Sequence, residues 1–293
     1  LADPMLLPDM DTAVERIQRA IRQRESIVIY GDFDVDGVCA TAVLQTVLRA
    51  MGAQVGPYIP DRFSESYGLN IPALDALRAG GTQLVITVDC GIRSVAEVAH
   101  ARAIGLDLII TDHHSVPAHL PEALAVVSPR RTDSRYPYPH LAGVGVAYRL
   151  ASALVEAGGA SRPALAPLIE ELLDIVALGT VADIVPLTGE NRVLAQRGIE
   201  RMQHRPRPRI AALLQVSGTR PEQADSQTIA FRLAPRLNAA GRLRHAQLGL
   251  DLMMAEDDQT AGALAQELDQ VNRERQAMLE QQVAQAEALL MSQ

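Results

Sequence analysis

Between Ile27 and Val127, short apolar runs alternate with longer stretches whose apolar residues recur at helical spacing. Ile27-Val28-Ile29-Tyr30 is an apolar, largely β-branched run ending in Gly31-Asp32, and Val38 to Met51 follows with Val43, Leu44, Val47, Leu48 and Met51 on one face. Gln54 to Ile59 predicts a second strand and Ala73 to Ala79 a helix. Leu84 to Val88 predicts a third strand, Val95 to Ile104 a helix, Leu106 to Thr111 a fourth strand and Ala125 to Val127 a fifth. Apolar strands joined by helices in this rhythm are βαβ units, which build an α/β fold around a parallel five-stranded sheet buried on both faces. Upstream, Thr12-x-x-Glu15 has capping-box spacing and predicts the start of a helix carrying Val14, Ile17 and Ile21.

Beyond about residue 145 the pattern is mostly helical. Ala147 to Glu156 and Ile169 to Leu178 are predicted helices, the second running into Gly179-Thr180-Val181-Ala182-Asp183, and further helices are expected near 191–203, 208–215 and 246–254. Arg205-Pro206-Arg207-Pro208-Arg209 reads as a stiff, solvated basic turn that could touch nucleic acid. From Asp257 to Gln293 the chain is rich in Ala, Gln, Glu and Leu and lacks Pro, which predicts one long helix with Leu264, Leu268 and Val271 on one stripe. The expected organisation is an α/β catalytic domain over residues 1–189, a helical segment completing it over 190–256, and over 257–293 a connecting helix to a further domain. Leu1 in place of an initiator Met fits a piece of a longer chain.

Composition narrows the class. With 48% hydrophobic and 21% charged residues the chain is an ordinary folded protein, not a disordered one. No apolar run reaches the ~18–20 residues of a membrane span. Leu1 to Met5 lacks a secretory signal's basic and apolar regions, so a cytoplasmic location without membrane contact is expected. Cys39 and Cys90 are too few for a disulfide framework or a Cys-based zinc site, and buried reduced thiols are expected. The net charge of −8 argues against bulk attraction to nucleic acid but leaves room for a local cationic groove. All the basic residues are Arg, and with aromatics at 3% and no Trp, extensive base stacking is not expected.

The acids and histidines fall where chemistry is expected. Ligands of an open parallel sheet bind beyond the carboxyl ends of its strands. The first strand runs into Asp32-Phe33-Asp34-Val35-Asp36-Gly37, the third into Asp89-Cys90-Gly91 and the fourth into Asp112-His113-His114. Asp32, Asp34 and Asp36 would lie on one side if the extended conformation persisted through them. Asp32 on its own could equally be a helix N-cap. Carboxylates crowded at one edge repel one another and resist burial, so a compensating cation is expected. Oxygen-rich ligands with imidazole favour Mn²⁺ or Mg²⁺, and the surplus of ligands favours two ions about 3.5–4 Å apart that share a carboxylate.

Asp34-Val35-Asp36-Gly37, Val88-Asp89-Cys90-Gly91, Asp112-His113-His114 and Gly179-Thr180-Val181-Ala182-Asp183 resemble, in order, the four motifs of the DHH phosphoesterase superfamily. Tyr30 to Gly37, Ser66-Tyr67-Gly68-Leu69-Asn70, Leu141-Ala142-Gly143-Val144-Gly145 and Arg236 to Leu243 are similar to its bacterial single-stranded-DNA exonucleases. The resemblance implies a metal-dependent 5′→3′ exonuclease of DNA repair and recombination that hydrolyses phosphodiester bonds of single-stranded DNA.

Further expectations follow from that resemblance. Asp34, Asp36, Asp89, His113 and Asp183 match the ligands of two divalent ions, Mn²⁺ foremost and Mg²⁺ as the alternative, with Asp89 bridging. His114 matches the histidine beside the scissile phosphate, joined by Asp89 and Arg242 as catalytic residues, with Asp32 and Asp112 around the ligands. Arg62, Arg236, Asn238 and Arg242 match phosphate contacts, although a structural salt bridge is the stronger expectation for Arg236. Tyr30 stands where pyrophosphatase members have a histidine, which argues against that activity. Implied partners are single-stranded DNA, a single-strand binding protein and a helicase, with the chain monomeric. The competing expectations are a phosphodiesterase of short oligonucleotides or nucleotide bisphosphates, and a catalytically silent replication scaffold.

Overall fold

A computed structural model describes residues 1–65, 67–158 and 165–291 of the chain. Ser66 of the Ser66–Asn70 motif and the last two residues of the expected long helix lie outside them. α1 (Met10–Gln23), β1 (Ser26–Tyr30), α2 (Val35–Ala50), β2 (Gln54–Tyr58), α3 (Ile71–Ala79), β3 (Leu84–Val88), α4 (Val95–Ala103), β4 (Asp107–Thr111) and β5 (Ala125–Val127) form the α/β part. All neighbouring strands pair in parallel, in the order β2-β1-β3-β4-β5.

Apart from the partly exposed edge strand β2, this sheet is buried on both faces, and strand alternation sorts its side chains. Ile27, Ile29, Ile86, Ile109 and Val127 join one apolar cluster with α1 and α2, whereas Val28, Tyr30, Val85, Ile110 and Val126 join another with α3 and α4. β1 pairs with β2 on one side and β3 on the other, so the chain reverses its direction of travel across the sheet there. That switch opens a crevice beyond the strand ends in doubly wound sheets.

The helical part comprises α5 (Gly143–Ala157), α6 (Leu165–Glu171), α7 (Leu173–Ala182), α8 (Gly189–His204), α9 (Pro208–Val216), α10 (Ser226–Thr228), a π-helical turn Ile229–Leu233, α11 (Ala234–Leu243), α12 (Gln247–Met254) and α13 (Asp258–Met291). One apolar cluster runs from Leu7 through Leu194 and Leu213 to Leu268, so residues 190–256 share their core with the sheet's α2 face. Along α13, Ala261, Ala265, Leu268 and Val271 are buried and Leu264 is partly buried, whereas residues 276–291 are exposed.

Several sequence expectations are corrected. Thr12 lies inside α1, whose N-cap is Asp9, and the Asp9 carboxylate instead accepts from Val126 N at 3.0 Å and Arg131 Nη1 at 2.6 Å, fastening α1 to β5. The helix expected over Ile169–Leu178 is two helices that meet at Leu172. The Arg205–Arg209 run is not a solvated turn. Arg207 grips the buried Asp174, and Arg209 is buried and donates to Met253 O. A helix over 234–243 was not expected, because Asn238-Ala239-Ala240-Gly241 carries glycine inside an otherwise weak apolar period.

Candidate metal centre

The cluster assembles where β1, β3 and β4 end. Extended backbone stops at Asp34, which is the N-cap of α2, its Oδ1 accepting from Gly37 N at 3.0 Å. The capping carboxylate is therefore Asp34 and not Asp32. Asp36 sits in the first turn of α2 and reaches the cluster from a helix, where strand alternation had been expected to carry it. Its Oδ2 accepts from Gly143 N at 2.6 Å and its Oδ1 from Val144 N at 2.8 Å. Those are unpaired amides of the α5 N-terminus, which suit an anion.

Asp89 follows β3 with φ of +62°, a left-handed conformation that a non-glycine residue adopts at a cost of roughly 1–3 kcal/mol. A Cβ on Gly143 would stand 2.5 Å from Asp89 Oδ1, so only glycine lets α5 approach so closely. Similarly, a Cβ on Gly241 would stand 2.4 Å from Phe33 O, which accounts for glycine where α11 meets the first motif.

His113 Nε2 lies 3.0 Å from Asp89 Oδ1, 3.6 Å from Asp183 Oδ2 and 3.9 Å from Asp36 Oδ2. Asp89 Oδ1, His113 Nε2 and Asp183 Oδ2 are buried, and none has a hydrogen-bond partner among the described residues. A buried polar atom left unsatisfied costs about 1–3 kcal/mol, and three such atoms converging on one space is the pattern a cation resolves. Among the described residues three groups have ligand atoms within 4.8 Å of one another, namely Asp36–His113–Asp183, Asp32–Asp34–Asp89 and Asp89–His113–His114. Asp89 belongs to two of them. The donor set, carboxylates with imidazole and no thiolate, fits a hard divalent ion.

The electrostatics agree. Burial, then the charge of Asp34, pushes the Asp32 carboxyl up to about 7. Burial, then Asp183, takes Asp36 up to about 7, and burial, then Asp34, takes Asp183 up to about 7. Asp89 is raised by burial and then by Asp36 and Asp34, while burial lowers His113.

Asp112 has a different setting. Its Oδ1 accepts from His113 N at 2.7 Å and His114 N at 3.0 Å and lies 2.8 Å from His114 Nδ1, while its Oδ2 accepts from Ile92 N at 2.9 Å. Burial raises this carboxyl, but the His114 hydrogen bond and charge outweigh it and hold it below the ordinary range. The same bond, opposed by burial, raises His114. Asp112 is thus saturated by hydrogen bonds that set the tandem histidines, and it belongs to none of the three ligand groups.

The residues expected on substrate divide. Arg62 is exposed and its guanidinium lies 4.9 Å from the Phe33 ring centroid. Asn238 Oδ1 accepts from Val35 N at 3.2 Å, which anchors α11 to the first motif. Arg242, one turn on, is exposed and lines with Asn238 and Arg275 an open cavity of about 540 Å³ between α11 and α13. Arg236 is not brought to this side. Its Nε donates to Asp269 Oδ1 at 2.8 Å and its other nitrogens to Arg232 O and Val216 O, so it ties α11 to α13. Two contributors are not evident from sequence, the Gly143 and Val144 amides within the Leu141–Gly145 motif, and Arg130, whose charge acts on both His113 and Asp183.

Residues 26–180, more than half of the chain, match the DHH family, N-terminal domain. The chain belongs to the DHH family. A DHH relative from Bacillus subtilis (strain 168), the single-stranded-DNA-specific exonuclease RecJ, is 46% identical over 277 residues, which cover 94% of this chain and 34% of that protein. The protein of the same name from Escherichia coli (strain K12) is 41% identical over 290 residues, 97% of this chain and 50% of its own length. The chain therefore spans between a third and a half of these curated relatives. Among solved DHH structures, exonuclease RecJ bound to manganese superposes with a TM-score of 0.86 at 35% identity, covering 95% of this chain and 69% of that one. The five-stranded parallel sheet, its flanking helices and the long C-terminal helix are the shared architecture.

Proposed function

We propose that this chain is the catalytic core of a metal-dependent 5′→3′ exonuclease that hydrolyses single-stranded DNA in repair and recombination. The observation that carries the reading is the trio of converging buried atoms Asp89 Oδ1, His113 Nε2 and Asp183 Oδ2, which make no hydrogen bond among the described residues. It is supported by relatives named for that activity and by a solved relative bound to manganese.

Asp36, His113 and Asp183 would hold one divalent ion and Asp34, with Asp32 beside it, the other, Asp89 being shared. Mn²⁺ is the favoured ion and Mg²⁺ the alternative. A bound pair supplies an activated water and charge stabilisation at the attacking and leaving oxygens. The protein's own contribution begins with the α5 amides, which hold the Asp36 carboxylate in place. With Nδ1 engaged by Asp112, His114 is left with Nε2 to give a proton to the departing oxygen. Arg62 and Arg242 supply guanidinium forks for phosphate, and Asn238 fixes the helix that carries Arg242. Phosphate contacts of this kind are indifferent to base sequence.

We place the protein in the cytoplasm, which its two free, buried cysteines suit, and from the motif resemblance we read it as a monomer with a single-strand binding protein and a helicase as partners. Among the described residues no helix is long and apolar enough to cross a membrane. The exposed outer half of α13 suits a connector to a further domain, in line with the greater length of the relatives. The test is hydrolysis of a long 5′-labelled single strand in Mn²⁺ beside a duplex and a dinucleotide. Mononucleotides released from the single strand support the reading, cleavage of the dinucleotide alone would favour an oligonucleotide phosphodiesterase, and no hydrolysis of any of them would favour a silent scaffold.

A further inference from the structure

Arg130 and Arg131 are adjacent in sequence but differ completely in their surroundings. Arg131 is consumed by structure, its guanidinium bonded to Asp9, Asp133 and Val126 O. Arg130 is exposed, and its guanidinium has no hydrogen-bond or ion-pair partner among the described residues. Only its backbone is tied down, Arg130 N donating to Oγ of the buried Ser128 at 3.3 Å. It emerges just past the carboxyl end of β5, next to β4, whose own end carries His113. From there its charge reaches both His113 and Asp183.

The arginines matched to substrate phosphate, Arg62 and Arg242, stand on the far side of the cluster. Arg62 leans on Phe33 and Arg242 sits one turn beyond Asn238, which is bonded to Val35, so both flank the Asp32–Asp34 loop. A phosphodiester seated over the carboxylates would thus meet positive charge on the β1 side from Arg62 and Arg242, and on the β5 side from Arg130. Keeping a long, unpaired guanidinium beside histidine and aspartate ligands has no packing benefit, whereas a guanidinium matches a phosphate's paired oxygens.

We propose that Arg130 binds a backbone phosphate of the substrate strand on the Asp36–His113–Asp183 side of the centre, positioning the scissile bond between it and the Arg62–Arg242 side. This rests on the nuclease reading above. The alternative is that Arg130 merely offsets the carboxylates' charge, and the two differ in what they demand of the substrate strand.

The experiment compares the wild-type chain with Arg130→Ala and Arg130→Lys, using Arg102→Ala, an exposed Arg on the α4 face, as the charge control. Binding of a non-hydrolysable phosphorothioate single strand in Mn²⁺ is followed by anisotropy across a salt series, and Mn²⁺ binding is followed by calorimetry. Arg130→Ala is expected to weaken strand binding about tenfold, the loss of one charge-assisted hydrogen-bonded contact. It should also lower the salt slope by about 0.7, the value for one phosphate contact on a single strand. Mn²⁺ should bind as well as before or better, because a cation has been removed from beside its ligands, and Arg130→Lys should recover part of the strand affinity. Unchanged strand binding and salt slope with tighter Mn²⁺ would overturn the proposal in favour of charge offset, and a fall in Mn²⁺ binding would overturn it in favour of a structural role. A wild type that binds the strand but cleaves no ordinary DNA would strike the exonuclease reading alone and leave the Arg130 comparison standing.

Discussion

His114 Nδ1 lies 2.8 Å from Asp112 Oδ1, and the same oxygen receives the backbone N–H of both His113 and His114. One buried carboxylate thus sets the backbone of the tandem histidines and fixes the orientation of the second ring. An imidazole held in this way presents Nε2 outward as a proton donor. His114→Ala is expected to lower turnover by roughly 10²–10⁴, the usual worth of a positioned acid, while Mn²⁺ affinity measured by calorimetry changes little. Asp112→Asn should also lower turnover, since a neutral amide lacks the charge that favours the protonated ring. Loss of Mn²⁺ binding in His114→Ala with turnover preserved at saturating metal would reverse the assignment.

The carboxylates predict how the metal-free protein responds to pH. Asp32, Asp36 and Asp183 have ordinary values near 3.8 and are pushed up to about 7 in the fold, chiefly by burial. Between those values the folded state binds more protons than the unfolded one, so their contribution, full below pH ~4, is lost as pH rises toward ~7. In chelator, the Tm should therefore fall across that window, and fall less steeply in Asp32→Asn. Mn²⁺ competes with protons for the same oxygens, so its stabilisation should grow as pH rises. A thermal-melt series in chelator and in Mn²⁺ checks both slopes, and a chelator curve with the same slope in wild type and Asp32→Asn would contradict the electrostatic account.

Ile184, directly after Asp183, has φ of +60° and is 90% exposed. A β-branched residue in the left-handed region is strained by roughly 1–3 kcal/mol, and an exposed side chain recovers little of that by packing. Ile184→Gly should relieve the strain and raise stability to denaturant by about 1 kcal/mol after glycine's entropic cost. A lower unfolding midpoint at unchanged m-value would show instead that the side chain contributes to the fold.

The sheet and the acidic edge were legible in the sequence because both depend on short-range pattern. Leu84–Val88 and Ala125–Val127 were read with their observed limits, since strands buried on both faces are continuous apolar runs. The acids at the strand ends could be found because a parallel sheet delivers consecutive strand ends to one side. The features that were missed depend on distant partners. α5 begins at Gly143 because Asp36, 107 residues earlier, receives its first amide. Asp9 displaces Thr12 as the cap of α1 because it also fastens β5 and Arg131. Arg207 and Arg236 look like surface cations until Asp174 and Asp269 are seen beside them. Arg130 and Arg131 cannot be distinguished by a local rule, and only the paired carboxylates of Arg131 separate them.

The central claim is a shared pair of divalent ions, and Mn²⁺ stoichiometry tests it most directly. Calorimetric titration of the metal-stripped protein should give two Mn²⁺ per wild-type chain, and Asp89→Ala, which removes the carboxylate proposed to be shared by the two ions, should weaken both while the circular dichroism spectrum stays native. Two sites of unchanged affinity in Asp89→Ala, or a wild type that binds no Mn²⁺, would contradict the account.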